Sequence, residues 1–153
     1  MSYIYENLKL TKEVSNNIKT NIDRLTANAS VTHMSNAKWR KLFGILSCPS
    51  LKIMQLKWKF LADDRISLNW GVPRPETFLK DRFGDYLPYP YGQFKEIEWV
   101  EIPNTYRNPK SISKRPLPNL PHDLIPIRKA IEQRGNFPLQ VSDSGLRIIG
   151  YTW

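Results

Sequence analysis

A period-two alternation of large apolar and polar side chains constrains the fold of this chain most strongly. The apolar members are Met54, Leu56, Trp58, Phe60, Ile66, Leu68 and Trp70. Across residues 54–60 they alternate with Gln55, Lys57 and Lys59, as in a strand that buries one face. Residues 66–70 repeat the alternation after the polar turn 62–65. The two stretches predict an antiparallel β-hairpin.

Further strands are predicted in the second half of the chain. Residues 94–102 have strand character and end at Pro103. Residues 139–141 and 146–153 flank the turn-forming sequence 142–145, which predicts a second hairpin. The proline-rich segments 73–92 and 103–121 interrupt these elements. We expect the first to be a structured loop, and the second to be either mobile or pinned against the domain.

Three helices are predicted from capping residues followed by apolar stripes. Thr11, Ser35 and Asp123 are suitable N-caps. The stripes that follow are Val14, Ile18, Ile22 and Leu25; then Trp39, Leu42, Phe43 and Leu46; then Leu124, Ile127 and Ile131. Their spacings of three and four residues are typical of amphipathic helices.

The order of these elements predicts an α+β fold. We expect a mainly antiparallel sheet of about five strands, with two or three helices packed on one face. Residues 1–33 are interpreted as an N-terminal helical extension and linker, and residues 34–153 as a single α+β domain. Met34 is also a possible alternative start of the chain.

Composition argues for a cytoplasmic protein without a membrane segment. No apolar stretch approaches the roughly 20 residues that cross a bilayer, and the N-terminus lacks a secretory pattern. Cys48 is the only cysteine, so it has no partner for an intramolecular disulfide. We interpret Cys48 as a small core or loop residue.

The chain carries no recognisable catalytic or cofactor motif. His33 and His122 fall in predicted linker or loop positions, outside any metal-spaced cluster. There is no phosphate-cradling glycine loop, no nucleophile elbow and no recognisable cysteine–histidine pair. We therefore expect no metal, no cofactor and no enzymatic activity.

An acidic and aromatic stretch is the first candidate for partner binding. Residues 73–102 hold more acidic than basic residues, whereas the chain as a whole has a net charge of +9. In a regular strand Glu96 and Glu98 point to the same side, which gives either a solvated face or a recognition face for a basic group. Tyrosines in a loop suit an interface, but they equally often fold back over a small core. The candidate contacts are Asp85, Tyr86, Tyr89, Tyr91, Glu96, Glu98 and Glu101.

Two basic stretches, 38–65 and 107–134, are the alternative candidate, for nucleic acid. Cationic side chains there could follow a phosphate backbone. Aromatic interleaving is thin, with only Tyr106 beside the basic loop, so a solvated loop and a wet sheet face are the simpler interpretation. The candidate cations are Lys57, Lys59, Arg107, Lys110, Lys114 and Arg115.

Three motifs resemble a bacterial family of small domains of unknown function. The motifs are the segment 36–42, which contains Lys38-Trp39, the strand 97–102 (IEWVEI), and the closing segment 145–151 with its RxxGY pattern. In that family an opening TKW, a central IEWVEI and a closing RxxGY recur in this order. The resemblance covers residues 35–153 and departs in the longer proline-rich connection and in the aromatic stretch between Trp70 and Tyr91.

The resemblance suggests an immunity protein of a toxin system such as contact-dependent growth inhibition. Such a protein would bind a cognate bacterial toxin domain and cover its active site. The basic composition implies that the toxin is acidic or that the acidic stretch 73–102 makes the contact. The alternative is a nucleic-acid-binding accessory protein, whose affinity would fall steeply with salt. An enzyme is a weaker third hypothesis and would require an acid–base cluster in a deep pocket.

Overall fold

The computed structural model describes residues 22–84 and 92–153. Its strands are β1 (Val31–Thr32), β2 (Gln55–Phe60), β3 (Ile66–Trp70), β4 (Ile97–Pro103), β5 (Thr105–Tyr106), β6 (Leu120–Pro121), β7 (Leu139–Val141), β8 (Gly145–Ile149) and β9 (Tyr151–Thr152). Five of them form a central antiparallel sheet in the order β3-β2-β4-β8-β7, and two short strand pairs, β1–β9 and β5–β6, flank it. Helices α1 (Asn36–Leu46) and α2 (Leu124–Arg134) join 3-10 turns at Pro49–Leu51, Pro75–Thr77 and Phe94–Glu96. The predicted α+β class is confirmed.

Both helices begin where the sequence predicts. The Ser35 side chain accepts a hydrogen bond from the Lys38 amide at 3.1 Å and caps α1. The Asp123 carboxylate accepts one from the Ile125 amide at 3.3 Å and caps α2. Each cap satisfies an amide that the first helical turn leaves without a backbone partner. The predicted helix that starts at Thr11 falls mostly outside the described residues, but residues 22–26 are helical.

An aromatic cluster joins α1 to one face of the sheet. Phe43 stacks on Trp58 of β2 with ring centroids 5.4 Å apart. The ring centroids of Phe83 and Phe94 lie 5.3 and 6.4 Å from that of Phe43, and both side chains are buried. Such ring pairs add to the stabilisation that apolar burial already provides. The same core contains Ile127 and Ile131 of α2, so the two helices pack on one face of the sheet.

The predicted hairpin forms, but β3 does not turn its apolar side chains toward the core. The register pairs Leu68 with Lys57 and Ile66 with Lys59, and side chains directly opposite each other share a face. Because Leu56 and Trp58 occupy the core face of β2, the apolar residues of β3 lie on the outer face. A shift of one residue in the register would reverse this arrangement.

The proline-rich connection 103–121 is pinned rather than mobile. Strands β5 and β6 pair within it, and the His122 amide donates to the Asn104 carbonyl at 2.8 Å. Within the connection, the Arg107 amide donates to the Gln55 side-chain oxygen at 2.9 Å. These bonds fix the connection against the start of β2, beside the last residue of β3.

Residues 22–33 contact the C-terminal end of the chain. Strand β1 pairs with β9, and Ser30 and His33 donate backbone hydrogen bonds to the carbonyls of Thr152 and Gly150. Ile22 is buried, and Asp23 forms an ion pair with Lys95 at 3.2 Å. The residues predicted as a linker are therefore partly held by strand pairing. No helix within the described ranges is long and apolar enough to span a bilayer.

Removing the central ring should strongly destabilise the domain. We expect Phe43→Ala to lower the free energy of unfolding by about 3–5 kcal/mol, because it deletes the ring that contacts both the sheet and the Phe83–Phe94 side of the cluster. Urea denaturation followed by tryptophan fluorescence measures this change. Phe43→Leu, which keeps most of the volume, should cost clearly less, and equal losses for the two variants would contradict this role of the ring.

Candidate functional site

The outer face of β3 exposes an apolar row. Ile66, Leu68 and Trp70 point to the same side, with exposed fractions of 58%, 51% and 48%. Strand β3 is also an edge of the five-stranded sheet. An exposed apolar row on an edge strand is unusual for an isolated protein, because it offers both apolar surface and backbone groups to another chain. We call these three residues the β3 row.

Cations border the β3 row on two sides. Lys57 and Lys59 lie directly across from it on β2, and Lys59 pairs with Glu98 at 3.1 Å. Beyond Trp70 lies the connection 104–122, which contains no acidic residue. Its exposed cations are Arg107, Lys110, Lys114 and Arg115. The surroundings of the row therefore favour a negatively charged partner.

A groove leads away from Trp70 along the end of the sheet. One cavity of about 510 Å³ lies between Trp70, Met54 and Arg107. A second cavity of about 420 Å³ shares Met54 and is lined by Lys52, Arg74 and Tyr106, among others. We call the two cavities together the Met54 groove. Among the described residues of its lining there are three cations and no carboxylate.

Lys52 enters the Met54 groove from a left-handed backbone conformation. Its φ of 51° makes it the one non-glycine residue with positive φ within the described part of the chain. For a side chain with a Cβ this conformation is unfavourable, and it persists only where the surrounding structure imposes it. Here the Lys52 amide donates to the Pro49 carbonyl and closes the turn Pro49–Leu51.

His122 holds the floor and the wall of the Met54 groove in place. Its Nε2 accepts a hydrogen bond from the Met54 amide at 3.0 Å, so the neutral ring carries its proton on Nδ1 and donates to the Pro103 carbonyl at 2.7 Å. The Tyr106 ring packs on the imidazole with centroids 4.7 Å apart. Burial lowers the pKa of His122, which keeps the imidazole neutral. Sequence reasoning identified His122 only as a loop residue.

The predicted acidic recognition face does not form as a solvent-facing row. Glu96 lies in a 3-10 turn instead of the strand, is buried, and accepts from the Gln93 amide at 2.5 Å. Glu101 is only 1% exposed and accepts from the hydroxyls of Ser142 and Ser144 at 3.0 and 2.9 Å. Both carboxylates are thus engaged inside the domain.

Glu98 and Arg147 are also paired. Glu98 lies between Lys59 and the Trp153 indole, which donates to it at 3.2 Å. Arg147 donates to Glu101 at 3.3 Å, and its guanidinium lies 3.8 Å from the centre of the Trp99 ring. The carboxylates in the middle of the outer sheet face are therefore engaged by contacts within the domain. Asp85, Tyr86, Tyr89 and Tyr91 lie outside the described residues.

The candidate cations split into two groups. Lys57 and Lys59 are on the outer face, as a wet side of the sheet requires, and both are partly buried. The four cations of the connection are exposed on a backbone held by local hydrogen bonds, including those from Lys110 to the Asn108 side chain and from Leu117 to the Ser111 hydroxyl. The structure brings Arg107 to the groove and leaves Lys110, Lys114 and Arg115 beyond its lining.

Cys48 is exposed at the far end of the Met54 groove, not in the core. A hydrogen bond with the Ser50 hydroxyl at 3.1 Å lowers the pKa of the Cys48 thiol. Both nitrogens of His122 are engaged, and Nε2 of His33 lies 2.6 Å from the Thr152 hydroxyl. In the ranges 22–84 and 92–153, no three His, Cys, Asp or Glu side chains are grouped as metal ligands.

The β3 row and most of the Met54 groove were not predicted from the sequence. The alternation in β3 was visible, but the side that it presents to the core depends on its register with β2. Lys52 and Arg74 lie in no recognisable sequence motif. Their positions depend on turns next to the prolines at 49, 73 and 75.

Comparison with models of protein families, with curated proteins and with solved structures finds no match to this chain. The resemblance to a bacterial small-domain family therefore stays a prediction.

The buried state of His122 predicts a loss of stability in mild acid. Because burial lowers the pKa of His122 in the folded protein below its ordinary value of 6.5, the unfolded chain binds more protons as the pH falls through about 6.5. The free energy of unfolding should then decrease toward lower pH, with a slope of at most ~1.4 kcal/mol per pH unit from this one group.

Urea unfolding between pH 5 and 7.5 measures this dependence. We expect His122→Gln to be less stable at neutral pH and to show a flatter pH dependence than the native chain. His33→Gln is the matched control, because it replaces the more exposed histidine by the same residue. An unchanged slope in His122→Gln would contradict the role assigned to the buried imidazole.

Proposed function

We propose that this chain is a protein-binding domain of the immunity type, which neutralises a cognate toxin domain by covering it in the cytoplasm. The β3 row is the centre of the contact. The observation that carries the proposal is the half-exposed set of Ile66, Leu68 and Trp70 on one edge strand. Protein interfaces have an apolar and aromatic centre of this kind, surrounded by a charged rim.

The charge around the β3 row supports an acidic partner. Most of the carboxylates of the stretch 73–102 that the structure describes are buried or paired, with Asp81 bound to Arg82 at 3.0 Å and Glu98 to Lys59, whereas Glu76 is exposed. Of the two possibilities that the basic composition left open, this favours a toxin domain with an acidic surface. Steering by opposite charges would speed the encounter of two such proteins.

The same charges argue against a second copy of this chain as the occupant. Two copies that pack through the β3 row would bring the Lys57 side chains of both close together, and each chain has a net charge of +9. Like charges brought together without counter-charges oppose association. A partner with carboxylates at the rim would avoid this cost.

A single charge in the β3 row should abolish binding without unfolding the domain. We expect Leu68→Asp to weaken binding of the cognate toxin domain at least about 100-fold, because a carboxylate would be buried at the apolar centre of the interface. The matched control is Val141→Asp, at the opposite edge of the sheet, where the side chain is 65% exposed.

The proposed function requires that a toxin domain be encoded beside the gene for this chain, and the experiment uses that domain. Growth of cells that express the toxin domain should be rescued by the native chain and by Val141→Asp, but not by Leu68→Asp, and calorimetry should give the affinities. Equal rescue by both variants, with normal circular dichroism spectra, would rule out the β3 row. Absence of rescue and of binding by the native chain would rule out the immunity function.

Nucleic-acid binding is the second candidate, supported by the acid-free connection 104–122 with its four exposed cations. If it is correct, affinity for a fluorescent single-stranded oligonucleotide should fall steeply between 50 and 200 mM salt. The triple variant K110Q/K114Q/R115Q should reduce the salt dependence. Lack of any retention at 50 mM salt would eliminate this candidate.

A further inference from the structure

We infer that the Met54 groove receives an acidic, extended polypeptide segment of the partner protein. The inference rests on the proposed function, because it takes the partner to be a protein, and it assigns a second part of the contact. The groove begins at Trp70, the last residue of the β3 row, and continues past Met54 to Lys52 and Arg74. A chain docked on β3 could therefore extend into it without a break.

The cations of the groove define the charge of its occupant. Lys52, Arg74 and Arg107 lie along the lining, and none of the lining residues that the structure describes is acidic. Lys52 and Arg74 take part in no ion pair within the described residues. An anionic occupant would supply the missing counter-charges, and the guanidinium groups are suited to bidentate pairing with carboxylates.

The floor of the groove favours a polypeptide over a nucleic acid. Between the cations the lining is largely aliphatic, with Ile53, Met54 and Val72. One face of the Tyr106 ring is already occupied by His122. Single-stranded nucleic acid stacks its bases on aromatic rings, and the exposed ring of this groove, Trp70, lies only at its entrance. A peptide with alternating acidic and apolar side chains would match the cations and the aliphatic floor along the rest of the groove.

The backbone at Lys52 determines where this side chain lies in the groove. A φ of 51° favours glycine, and a lysine there carries a conformational cost that its exposed side chain does not offset by burial. That conformation directs the residue into the groove lining. Strain of this kind is found where a residue is held for a specific contact.

A peptide titration tests the inference without the partner. The probe is a capped peptide of three Glu-Leu-Ser repeats, added to the full-length ¹⁵N-labelled protein at low salt. We expect saturable shifts of amide signals in residues 46–54, 70–74 and 106–111. Peptides of three Lys-Leu-Ser repeats and a nonathymidylate of similar length are the comparison probes and should bind more weakly.

Single variants separate the groove from general charge effects. Lys52→Gly and Arg107→Gln should each weaken binding of the acidic peptide about three- to tenfold, since each removes one charge-assisted contact. Lys129→Gln removes the same charge from the exposed side of α2 and should leave the affinity unchanged. Lys52→Gly should also keep or raise the melting temperature, because glycine accepts the positive φ.

Three results would overturn the inference: no saturable shifts at millimolar peptide, shifts spread over the whole surface, or tighter binding of the nonathymidylate to the same amides. The last result would assign the groove to nucleic acid. Since the titration contains no toxin domain, its failure leaves the Leu68→Asp experiment intact. Conversely, tolerance of Leu68→Asp would remove the β3 row as the contact, and absence of rescue by the native chain would remove the immunity function, while peptide binding in the groove could still be observed.

Discussion

The stacking of Phe43 on Trp58 is the contact on which the rest of the domain depends. It attaches α1 to strand β2, and Phe78, Phe83 and Phe94 surround the Phe43 ring. The segment between β3 and β4 is tied to the core by these three side chains. Because Arg74 and Val72 stand at the start of that segment, the aromatic cluster also determines where one wall of the Met54 groove lies.

Packing both helices on one face leaves the other face of the sheet to be satisfied by its own side chains. In the middle of that face this is achieved by Glu101, which collects two serine hydroxyls and Arg147. A buried carboxylate is costly without such partners, and each of these contacts reduces the cost. At the β3 edge Ile66 and Leu68 remain more than half exposed. In the proposed function, this edge is the part of the face that the partner protein covers.

How much the sequence could predict depended on whether a feature is local. Ser35 and Asp123 cap helices through amides two or three residues away, and the turn 142–145 joins neighbouring strands, so both were predicted correctly. Glu101 was predicted to be a partner contact. Its burial was not predicted, because it depends on Ser142 and Ser144, which are more than forty residues away. No period in the sequence reports such a contact.

The β3 row illustrates the same limit in a sharper form. A period of two indicates that a strand has an apolar side and a polar side, but it does not indicate which side faces the core. That choice belongs to the pairing of Leu68 with Lys57. The same limit applies to His122, whose bonds to Met54 and Pro103 join three separate parts of the chain.

An exposed apolar edge is a hazard for a protein in isolation, because identical edges can pair and aggregate. Here the lysines of β2 and the acid-free connection 104–122 place positive charge on both sides of the β3 row. Repulsion between these charges opposes the approach of a second copy, while the same charges attract a surface of opposite sign. The positive charge beside the β3 row therefore opposes the pairing of identical edges, and in the proposed function the same charge attracts the acidic surface of the partner.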